Sequence, residues 1–406
     1  MHTITAFLLS ILATCLLLST LVISVNGAAL NVGSGGQYTS ITAAVNAAQP
    51  GDTIIVGAGT YSENVVVTKS VTITADSPGS TVVTAADPSK DVFLVQAKNV
   101  RVEGLTFTGA TGASGVHVDH SSACVVTGIN AHGNDRAIYL DGATNCEVSS
   151  SNLADNGYGV YCDNASNNTI SSIVATGEQG NGKALGDGIY MYHSDANTIN
   201  HSNLSVNHVY GISLYHSSGN TITNNSILNN QDIGVRLRES NNNTLTFNTI
   251  SGNVNLGVLS ITETGDKIYL NNFISQPNTV SEAVENSLSS PQQLFYTFGG
   301  AIHHGYMGNY YSDYKGNDVN GTGVGIPASA NGDKNPLVQQ FENYTNISVT
   351  NTALSSTTTT STASTQTTSV TNAAAQTSTP GFGVEGAFLA IVLVTSFLAY
   401  SRIRRR

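Results

Sequence analysis

Three aspartates at a constant spacing in the middle of the chain could carry out carboxylate chemistry. Asp119, Asp141 and Asp163 follow one another at intervals of 22 residues. If that interval is one turn of a stacked-strand repeat, neighbouring carboxyls lie roughly 4.8 Å apart. That is close enough to raise one another's pKa or to share a cation. Retaining glycosidases use two carboxyls about 5 Å apart, and inverting enzymes use a wider pair. The three aspartates are therefore candidate catalytic residues.

Aromatic and basic side chains extend the aspartate row and form a second row beside it. The first row continues through Tyr192 and Tyr215 to Arg238, and the second reads His117, Tyr139, Tyr161, Tyr190, Ser213 and Arg236. The tyrosines offer a flat surface on which sugar rings can stack, and the two arginines can bind the carboxylate of an acidic sugar. We therefore predict that the five tyrosines bind a ligand and that the arginines join the aspartates as catalytic residues. The competing interpretation is that repetition alone creates such rows on a solvated strand face.

A repeat of 22 to 23 residues supplies the element that would position these rows. Blocks open at Gly115, Gly159, Gly188, Gly211, Gly234 and Gly257, with Ala137 replacing glycine once. In each block short apolar pairs alternate with polar residues, which is the periodicity of β-strands and not of helices. A fixed period in the twenties is typical of stacked supersecondary units. Three short strands per block predict one rung of an all-β parallel helix. One longer block carries an insertion, residues 177–187, that could form the wall of a cleft.

Asparagine recurs at one turn position of the repeat, where we predict a structural ladder. The position is occupied by Cys124, Cys146, Asn168, Asn197, Asn220, Asn243 and Asp266, and a second column holds Asn225, Asn248 and Asn271. Stacked amides pass hydrogen bonds from rung to rung, so these residues need no role beyond structure. For Cys124 and Cys146 we expect two thiols, because in-register parallel stacking is not the preferred disulfide geometry.

The repeat divides the chain into a regular centre with a cap at each end. Residues 115–275 hold the regular blocks, and residues 29–114 hold the first rungs and an N-terminal cap. Helical apolar spacing across residues 38–48 predicts a capping helix, since a solenoid must cover the edge and interior of its first rung. Residues 276–349 form the predicted C-terminal cap region.

The composition argues against two broad classes of protein. Charged residues make up 10% of the chain, whereas they are about a quarter of ordinary soluble domains. A helical bundle needs many more charged residues on its exposed faces, and a nucleic-acid-binding protein needs a basic patch. The formal net charge is -11, so we predict no nucleic-acid partner.

Both ends of the chain have the composition of targeting segments. Residues 1–28 combine an uncharged apolar run with small residues and predict a secretory signal peptide, with an uncleaved anchor as the alternative. Residues 350–379 are rich in Thr and Ser and predict an extended stalk, because they cannot bury enough apolar surface to fold. The apolar run at 384–400 is the short end of a membrane-spanning helix. The arginines after it are expected on the cytoplasmic side.

The tripeptide Pro380-Gly381-Phe382 stands between the stalk and that apolar run. The order of tripeptide, apolar run and arginine tail in residues 380–406 resembles the PGF-CTERM sorting signal of archaeal surface proteins. The resemblance implies an archaeal source, cleavage by an archaeosortase-like membrane protease, and attachment of a lipid. A plain single-pass anchor is the alternative and gives the same orientation. In either case we expect a secreted protein anchored at the cell surface.

Two further segments resemble a known family. Residues 41–65, which include Pro50-Gly51-Asp52-Thr53, are similar to the opening of pectin-lyase-like β-helices of the NosD-like type. This type is also described as CASH (carbohydrate-binding and sugar-hydrolysis) domains, and residues 308–314 resemble its C-terminal end. The resemblance covers about residues 30–340 and implies a right-handed parallel β-helix. The fold hosts lyases, hydrolases, epimerases, adhesins and inert surface proteins, so it does not settle the activity.

Several functions fit these observations. The first hypothesis is a surface protein that binds glycans or other envelope components. The alternatives are a polysaccharide lyase or glycoside hydrolase acting on acidic sugars, and a purely structural envelope protein. The NosD-like resemblance adds copper handling, for which His193 with His216, and His303-His304 with Met307, supply suitable ligand types. We predict no cofactor and no resident metal.

Asn-x-Ser/Thr sequons are candidate glycosylation sites in an extracellular protein. They begin at Asn164, Asn167, Asn200, Asn203, Asn224, Asn242, Asn320, Asn343 and Asn346. A chain this rich in asparagine also forms sequons by chance.

Overall fold

The computed structural model describes most of the chain between residues 27 and 350. The described residues are 27–180, 185–261, 264–275, 280–281, 285–329 and 332–350. The predicted signal peptide up to residue 26, the stalk beyond residue 350, and the sorting signal with Pro380, Gly381 and Phe382 lie outside them. Within the described residues, no helix is both long enough and apolar enough to span a membrane.

The chain winds through three long parallel sheets, and successive strands of each sheet come from successive turns of the chain. Alternate residues of each strand face inward, so the apolar columns fill the interior. Val116, Ile138 and Val160 are stacked in register in this way and are fully buried. Burying one such side chain contributes about 1.5–3 kcal/mol, and every rung repeats the contribution. The structure confirms the predicted all-β, right-handed parallel β-helix.

The strands are numbered in chain order and grouped by sheet. Sheet 1 consists of β1 (Ala29–Val32), β2 (Thr53–Val56), β5 (Thr72–Ala75), β8 (Arg101–Glu103), β11 (Val125–Thr127), β14 (Glu147–Ser149), β17 (Thr169–Ser171), β20 (Thr198–Asn200), β23 (Thr221–Thr223), β26 (Thr244–Thr246), β29 (Thr264–Tyr269) and β32 (Glu285–Ser287). Sheet 2 consists of β4 (Val65–Val67), β7 (Phe93–Val95), β10 (Ser114–Asp119), β13 (Arg136–Asp141), β16 (Tyr158–Asp163), β19 (Ile189–Tyr192), β22 (Ile212–Tyr215), β25 (Ile233–Arg238), β28 (Leu256–Ile261) and β31 (Val280–Ser281).

The remaining elements complete the solenoid and its ends. Sheet 3 consists of β3 (Gly59–Ser62), β6 (Thr81–Thr84), β9 (Thr106–Thr108), β12 (Asn130–His132), β15 (Asn152–Ala154), β18 (Val174–Thr176), β21 (Asn203–Ser205), β24 (Ser226–Leu228), β27 (Thr249–Ser251), β30 (Asn272–Ile274) and β35 (Tyr310–Tyr311). A fourth, antiparallel sheet consists of β33 (Leu294–Phe298), β34 (Ala301–Gly305) and β36 (Thr345–Ser348). The helices are α1 (Ile41–Ala47) and a 3-10 turn (Phe341–Asn343).

Two asparagine ladders run through the interior at the predicted turn positions. In the first, Asn197 Nδ2 donates to Asn220 Oδ1 over 3.2 Å, and the backbone N–H of Asn197 donates to the same oxygen over 2.8 Å. In the second, Asn225 Nδ2 donates to Asn248 Oδ1 over 3.0 Å. These bonds avoid the cost of leaving buried amides unpaired. The high asparagine content therefore has a structural explanation.

A third ladder, which the sequence analysis did not assign, contains a carboxylate. Its members are Asn134, Asn156, Glu178, Asn207, Asn230 and Asn253. Glu178 Oε2 accepts a hydrogen bond from the backbone N–H of Asn156 over 2.6 Å, whereas Oε1 is buried and meets no hydrogen-bonding partner. Burial raises the pKa of Glu178 to about 8, so folding favours the protonated carboxyl.

The described cysteines are free and buried. Cys124 and Cys146 begin the first ladder, where the backbone N–H of Cys124 donates to Cys146 Sγ over 3.4 Å. Cys146 in turn donates its backbone N–H to Asn168 Oδ1 over 2.8 Å. The two residues are thiols, as expected, and they occupy ladder positions that asparagine holds in later turns.

Additional elements pack against both ends of the solenoid. The helix α1 begins three residues later than predicted, because Ser40 forms its N-cap by accepting a hydrogen bond from the backbone N–H of Ala43. Its buried side chains are Ile41, Ala44 and Val45. At the other end, the fourth sheet packs on a separate apolar cluster. That cluster contains Leu270, Leu294, Tyr296, Met307, Leu337 and Tyr344. The boundaries predicted at residues 114, 275 and 349 stay predictions.

Candidate functional site

The outer face of sheet 2 carries both predicted rows. Its strands β10, β13, β16, β19, β22 and β25 are in parallel register. One row is Asp119, Asp141, Asp163, Tyr192, Tyr215 and Arg238, and the other is His117, Tyr139, Tyr161, Tyr190, Ser213 and Arg236. The register thus brings the predicted catalytic and ligand-binding side chains onto one face. Their roles stay predictions.

A third row, which the sequence analysis missed, borders the tyrosines. It consists of Ser114, Arg136, Tyr158, Asp187 and Tyr210. Each member precedes the glycine or alanine that opens a block, so the repeat contained a positional signal. The signal was weak because the row holds four residue types and only tyrosine recurs in it.

The tyrosine rings pack on one another along the solenoid. Tyr161 and Tyr190 stack with ring centroids 5.0 Å apart and an interplanar angle of 28°. Tyr139 stacks on His117 with centroids 4.4 Å apart, and it meets Tyr161 edge-on at 5.3 Å. Neighbouring rings thus occupy faces that the sequence analysis expected to receive sugar rings. A ligand would instead meet ring edges and phenol hydroxyl groups.

Arginines lie over these rings. The guanidinium carbon of Arg136 is 4.9 Å from the ring centroids of both Tyr139 and Tyr161. The guanidinium carbon of Arg236 is 5.2 Å from the ring centroid of Tyr210, and that of Arg238 is 4.9 Å from the ring centroid of Tyr215. Stacking holds each planar guanidinium in one orientation. Arg136 Nη1 also pairs with Asp135 Oδ2 over 2.8 Å, and Arg238 Nε pairs with Glu239 Oε1 over 3.5 Å. A ligand carboxylate would meet the remaining edge donors.

The aspartate row holds carboxyls of different acidity. Hydrogen bonds from Gln96 and His120 lower the pKa of Asp119. Burial, followed by the neighbouring carboxylate of Asp141, raises the pKa of Asp163. Two carboxyls whose pKa values are pushed apart are what acid–base catalysis uses. Two rung spacings, roughly 9.6 Å, separate the backbones of Asp119 and Asp163 along the solenoid axis. Inverting glycosidases hold their two carboxyl groups about 6.5–9.5 Å apart.

The tyrosine hydroxyls of this face are protonated at physiological pH, as tyrosine ordinarily is, and burial extends the protonated range further. It raises the pKa of Tyr158 to about 12, and it also raises the pKa of Tyr139 and of Tyr161. These phenols can donate and accept hydrogen bonds at physiological pH, but they are poor bases. The chemistry that they favour is therefore recognition of hydroxyl groups.

Buried polar atoms without a hydrogen-bonding partner are concentrated on this face. Among the described residues they include Ser114 Oγ, His117 Nε2, Arg136 Nε, Asp187 Oδ2 and Ser213 Oγ. Leaving such a group unpaired costs about 1–3 kcal/mol, and native proteins contain few of them. Burial of the Asp187 carboxyl disfavours its charged form and raises its pKa to about 7. Their concentration on one face indicates a surface that is incomplete without polar ligand groups or ordered water.

His117, Asp119 and Asp141 form a group with the ligand types of a metal site. One ligand atom from each residue lies within 4.8 Å of the others. His117 Nε2 is 3.7 Å from Asp141 Oδ2, and His117 Nδ1 is 2.8 Å from Asp91 Oδ2. From the sequence we predicted no metal, with Asp119 and Asp141 as catalytic residues. The sequence does indicate this group. His117 and Asp119 are two positions apart on one strand and therefore face the same side, and Asp141 is one rung away.

The histidines considered for copper do not converge on one site. His193 and His216 stack with centroids 4.8 Å apart and an interplanar angle of 8°, so their in-plane nitrogen lone pairs cannot point at one ion between the rings. His303 and His304 are adjacent in β34 and contact different aromatic neighbours on its two faces. Met307 is fully buried in the C-terminal apolar cluster.

The predicted glycosylation sites are accessible. Exposed sequon asparagines are Asn164, Asn167, Asn203, Asn224, Asn242, Asn320, Asn343 and Asn346. Asn200 is half-buried. Whether any of them carries a glycan stays a prediction.

A family comparison covers most of the solenoid. The family described as periplasmic copper-binding protein (NosD) matches residues 45–186 and 181–316. The two matches together span more than half of the chain.

Individual relatives are more distant. A cell surface glycoprotein of Methanothermus fervidus is 33% identical over 121 residues, which are 28% of this chain and 20% of that protein. The chain therefore matches about a fifth of that relative's length. The enzymatically active domain of bacteriophage CBA120 tailspike protein 2 superposes with a TM-score of 0.50 at 11% identity, covering 65% of this chain and 47% of that one. An alginate lyase from Paenibacillus has a TM-score of 0.47 at 16% identity, covering 64% and 97%. The tailspike match indicates a shared fold.

Proposed function

The chain belongs to the NosD family, and we propose that it is a cell-surface protein whose outer face of sheet 2 binds a glycan. The similarity to a cell surface glycoprotein over 121 residues supports the location. The predicted signal peptide, stalk and sorting signal agree with it. They make an archaeosortase-like protease and the membrane the partners that we propose for anchoring.

The observation that carries the proposal is the concentration of unpaired buried polar atoms on one face. Ser114, His117, Arg136, Asp187 and Ser213 contribute them. Rows of half-buried tyrosines accompany them on the same strands, together with the half-buried Arg236 and the exposed Arg238. From His117 to Arg236 the face spans five rung spacings, or about 24 Å. A surface of this length suits an extended chain of polar units more than a compact small molecule.

The order of side chains along the face favours an acidic sugar. Arg236 and Arg238 lie at one end in adjacent positions of the two rows, where they can bind a sugar carboxylate in two-point fashion. Tyrosines occupy the middle, and their protonated hydroxyls can bond to sugar hydroxyls. Asp119 and Asp141 lie at the other end, so a uniformly anionic ligand would be repelled there as long as no cation is bound. We therefore propose a glycan with acidic and neutral units.

Binding can be tested with the full-length chain in mild detergent on an array of acidic and neutral glycans. We expect binding to glycans that contain uronic acids, and a loss of at least about tenfold in affinity for the double variant Arg236→Ala/Arg238→Ala, since each arginine supplies charge-assisted hydrogen bonds. The matched control is Thr221→Ala/Thr223→Ala on sheet 1 of the same region. Absence of binding by the folded protein across the array would contradict the proposal and favour a purely structural envelope protein.

A second candidate function is hydrolysis or lyase cleavage of an acidic polysaccharide. The observation that favours it is the difference in acidity between Asp119 and Asp163. If Asp163 acts as the general acid, turnover requires its protonated form and falls as the pH rises through its raised pKa. Release of reducing ends from acidic polysaccharides, lost in Asp163→Asn but not in Glu147→Gln, would support this function. No turnover across a broad substrate panel would remove it.

A further inference from the structure

We infer that His117, Asp119 and Asp141 bind a divalent transition-metal ion of the Zn²⁺ class. The inference goes beyond the glycan-binding proposal, because an ion can bind there in the absence of a glycan. The ligand atoms of the three side chains all lie within 4.8 Å of one another. Metal–ligand bonds of about 2.0–2.2 Å require the ligand atoms to lie less than about 4.4 Å apart, so the carboxylates must rotate slightly toward the imidazole when the ion binds.

The fold places these ligands together by register. His117 and Asp119 are two residues apart in β10, so both project from the same side of the strand. Asp141 of β13 is the register partner of Asp119. The site therefore depends on two adjacent, hydrogen-bonded strands and not on a mobile loop.

The orientation of His117 distinguishes this group from an ordinary cluster of surface carboxylates. Its Nδ1 bonds to Asp91 Oδ2 over 2.8 Å, and Asp91 Oδ1 accepts the backbone N–H of Ser114 over 2.8 Å. A proton on Nδ1 leaves Nε2 with a free lone pair. That nitrogen is buried, has no hydrogen-bonding partner and lies nearest Asp141. Metal-binding histidines have this arrangement, in which a carboxylate holds the second ring nitrogen.

Further contacts fix the remaining groups. The His117 ring stacks on Tyr139 at a centroid distance of 4.4 Å, which prevents it from swinging outward. Gln96 Nε2 and His120 Nδ1 hold the two oxygens of Asp119 at 2.9 and 2.7 Å. Such outer partners orient a ligating carboxylate.

The donor set selects the class of ion. Calcium takes six to eight oxygen ligands, whereas an imidazole with two carboxylates suits a borderline ion such as Zn²⁺. Three protein ligands leave at least one coordination position open. All three residues are half-buried, so that position can be reached by water or by a bound molecule.

Isothermal titration calorimetry of the full-length chain without a histidine tag tests the site, with Zn²⁺ alone as the probe and no glycan present. We expect one Zn²⁺ per chain. Asp91→Asn, which can still accept the hydrogen bond from Ser114, should weaken binding by about 10- to 100-fold. His117→Ala and Asp141→Asn, each of which removes a ligand, should weaken it at least as much. His193→Ala, at a histidine that directly follows β19 of the same sheet, should bind as tightly as the unmodified chain.

Several results would overturn the inference. They are the absence of saturable Zn²⁺ binding, unchanged affinity in both His117→Ala and Asp141→Asn, and loss of binding in His193→Ala. Calcium binding at the same site with equal affinity would refute the proposed class of ion. Circular dichroism checks whether each variant is folded. If His117→Ala does not fold, Asp141→Asn still tests the site. Because no glycan is present, failure here leaves the glycan-binding proposal standing.

Discussion

The outer faces of sheets 1 and 2 belong to the same turns of the solenoid but carry different chemistry. On sheet 1, Thr169, Thr198, Thr221 and Thr244 are stacked in register. Hydroxyls on this face bond to one another; for example, Thr246 Oγ1 donates to Thr223 Oγ1 over 3.2 Å. On sheet 2, in contrast, large aromatic and charged side chains cover buried polar atoms that have no partner.

The repeat explains why both sheets carry rows of side chains, but it does not explain why the rows on sheet 2 are large, charged and partly unpaired. A repeat produces rows on every outer face, so the existence of a row is not evidence of function. The middle strands of sheet 1, from β17 to β26, carry short polar side chains whose hydroxyls pair locally, which is the outcome expected of a solvated row. Sheet 2 departs from that outcome in residue size, charge and unpaired groups, and the departure supports a binding role.

The largest expected effect is on glycan binding. In Arg136→Ala/Tyr161→Ala the cation–π pair at the centre of sheet 2 is removed, and we expect affinity to fall on the order of a hundredfold, since buried aromatic and arginine side chains dominate binding energies. The sheet 1 variant Thr198→Ala/Thr221→Ala should stay within about twofold of the unmodified chain. Titration calorimetry with the glycan identified on the array measures both. Equal losses of glycan affinity in the two double variants would contradict the claim that only the sheet 2 face binds the glycan.

The next effect concerns pH and the buried carboxyl of Asp187. Burial raises its pKa to about 7 in the fold, from about 3.9 in an unfolded chain. The folded state therefore binds more protons between these values, and stability falls as the pH rises from about 4 to about 7. Asp187→Asn should raise the melting temperature at pH 8 by roughly several degrees and change it little at pH 4.

Two comparisons keep this test specific. Glu178 has a pKa raised to about 8 by burial, so some pH dependence should persist in Asp187→Asn. Glu147→Gln, at an exposed position of sheet 1, should leave the difference between the two pH values unchanged. Thermal melts at pH 4 and pH 8 decide the matter, and an Asp187→Asn protein that is destabilised at pH 8 would contradict the account.

The smallest effect compares single hydroxyls on the two faces. Ser213 Oγ is buried without a partner, so Ser213→Ala should leave the free energy of unfolding unchanged or raise it by up to about 1 kcal/mol. Thr246→Ala on sheet 1 removes a made hydrogen bond and should lower it by about 0.5–1.5 kcal/mol. Urea titrations of the two variants measure the difference. A destabilised Ser213→Ala would show that this hydroxyl is satisfied in solution without a ligand.

The sequence predicted the fold and the two main rows because both follow from a nearly constant period. Glycine or alanine opens each block, and the residues two and four positions later, such as Tyr139 and Asp141, necessarily line up between rungs. The first two asparagine ladders were predictable for the same reason, since Asn197 and Asn220 occupy one position of the repeat. These features depend on register alone.

Features that depend on side-chain conformation could not be predicted in this way. Register places Tyr161 beside Tyr190, but the rotamers that stack the two rings and cover their faces are set by packing. Arg136 reaches over two tyrosines although it belongs to a different row. The orientation of His117 in the proposed metal site depends on its bond to Asp91. Asp91 precedes the regular blocks, so the repeat that aligns His117 with Asp141 does not place it.

Hydroxyl-radical footprinting with mass spectrometry tests the central claim most directly, because it reads both faces in one sample. With the full-length chain and a saturating amount of the bound glycan, the account predicts protection of Tyr139, Tyr161 and Tyr190 on sheet 2. Tyr269 on sheet 1 and the exposed Tyr306 near the C-terminal end should react as they do in the free protein. Protection of Tyr269 or Tyr306 with unchanged reactivity of the sheet 2 tyrosines would contradict it.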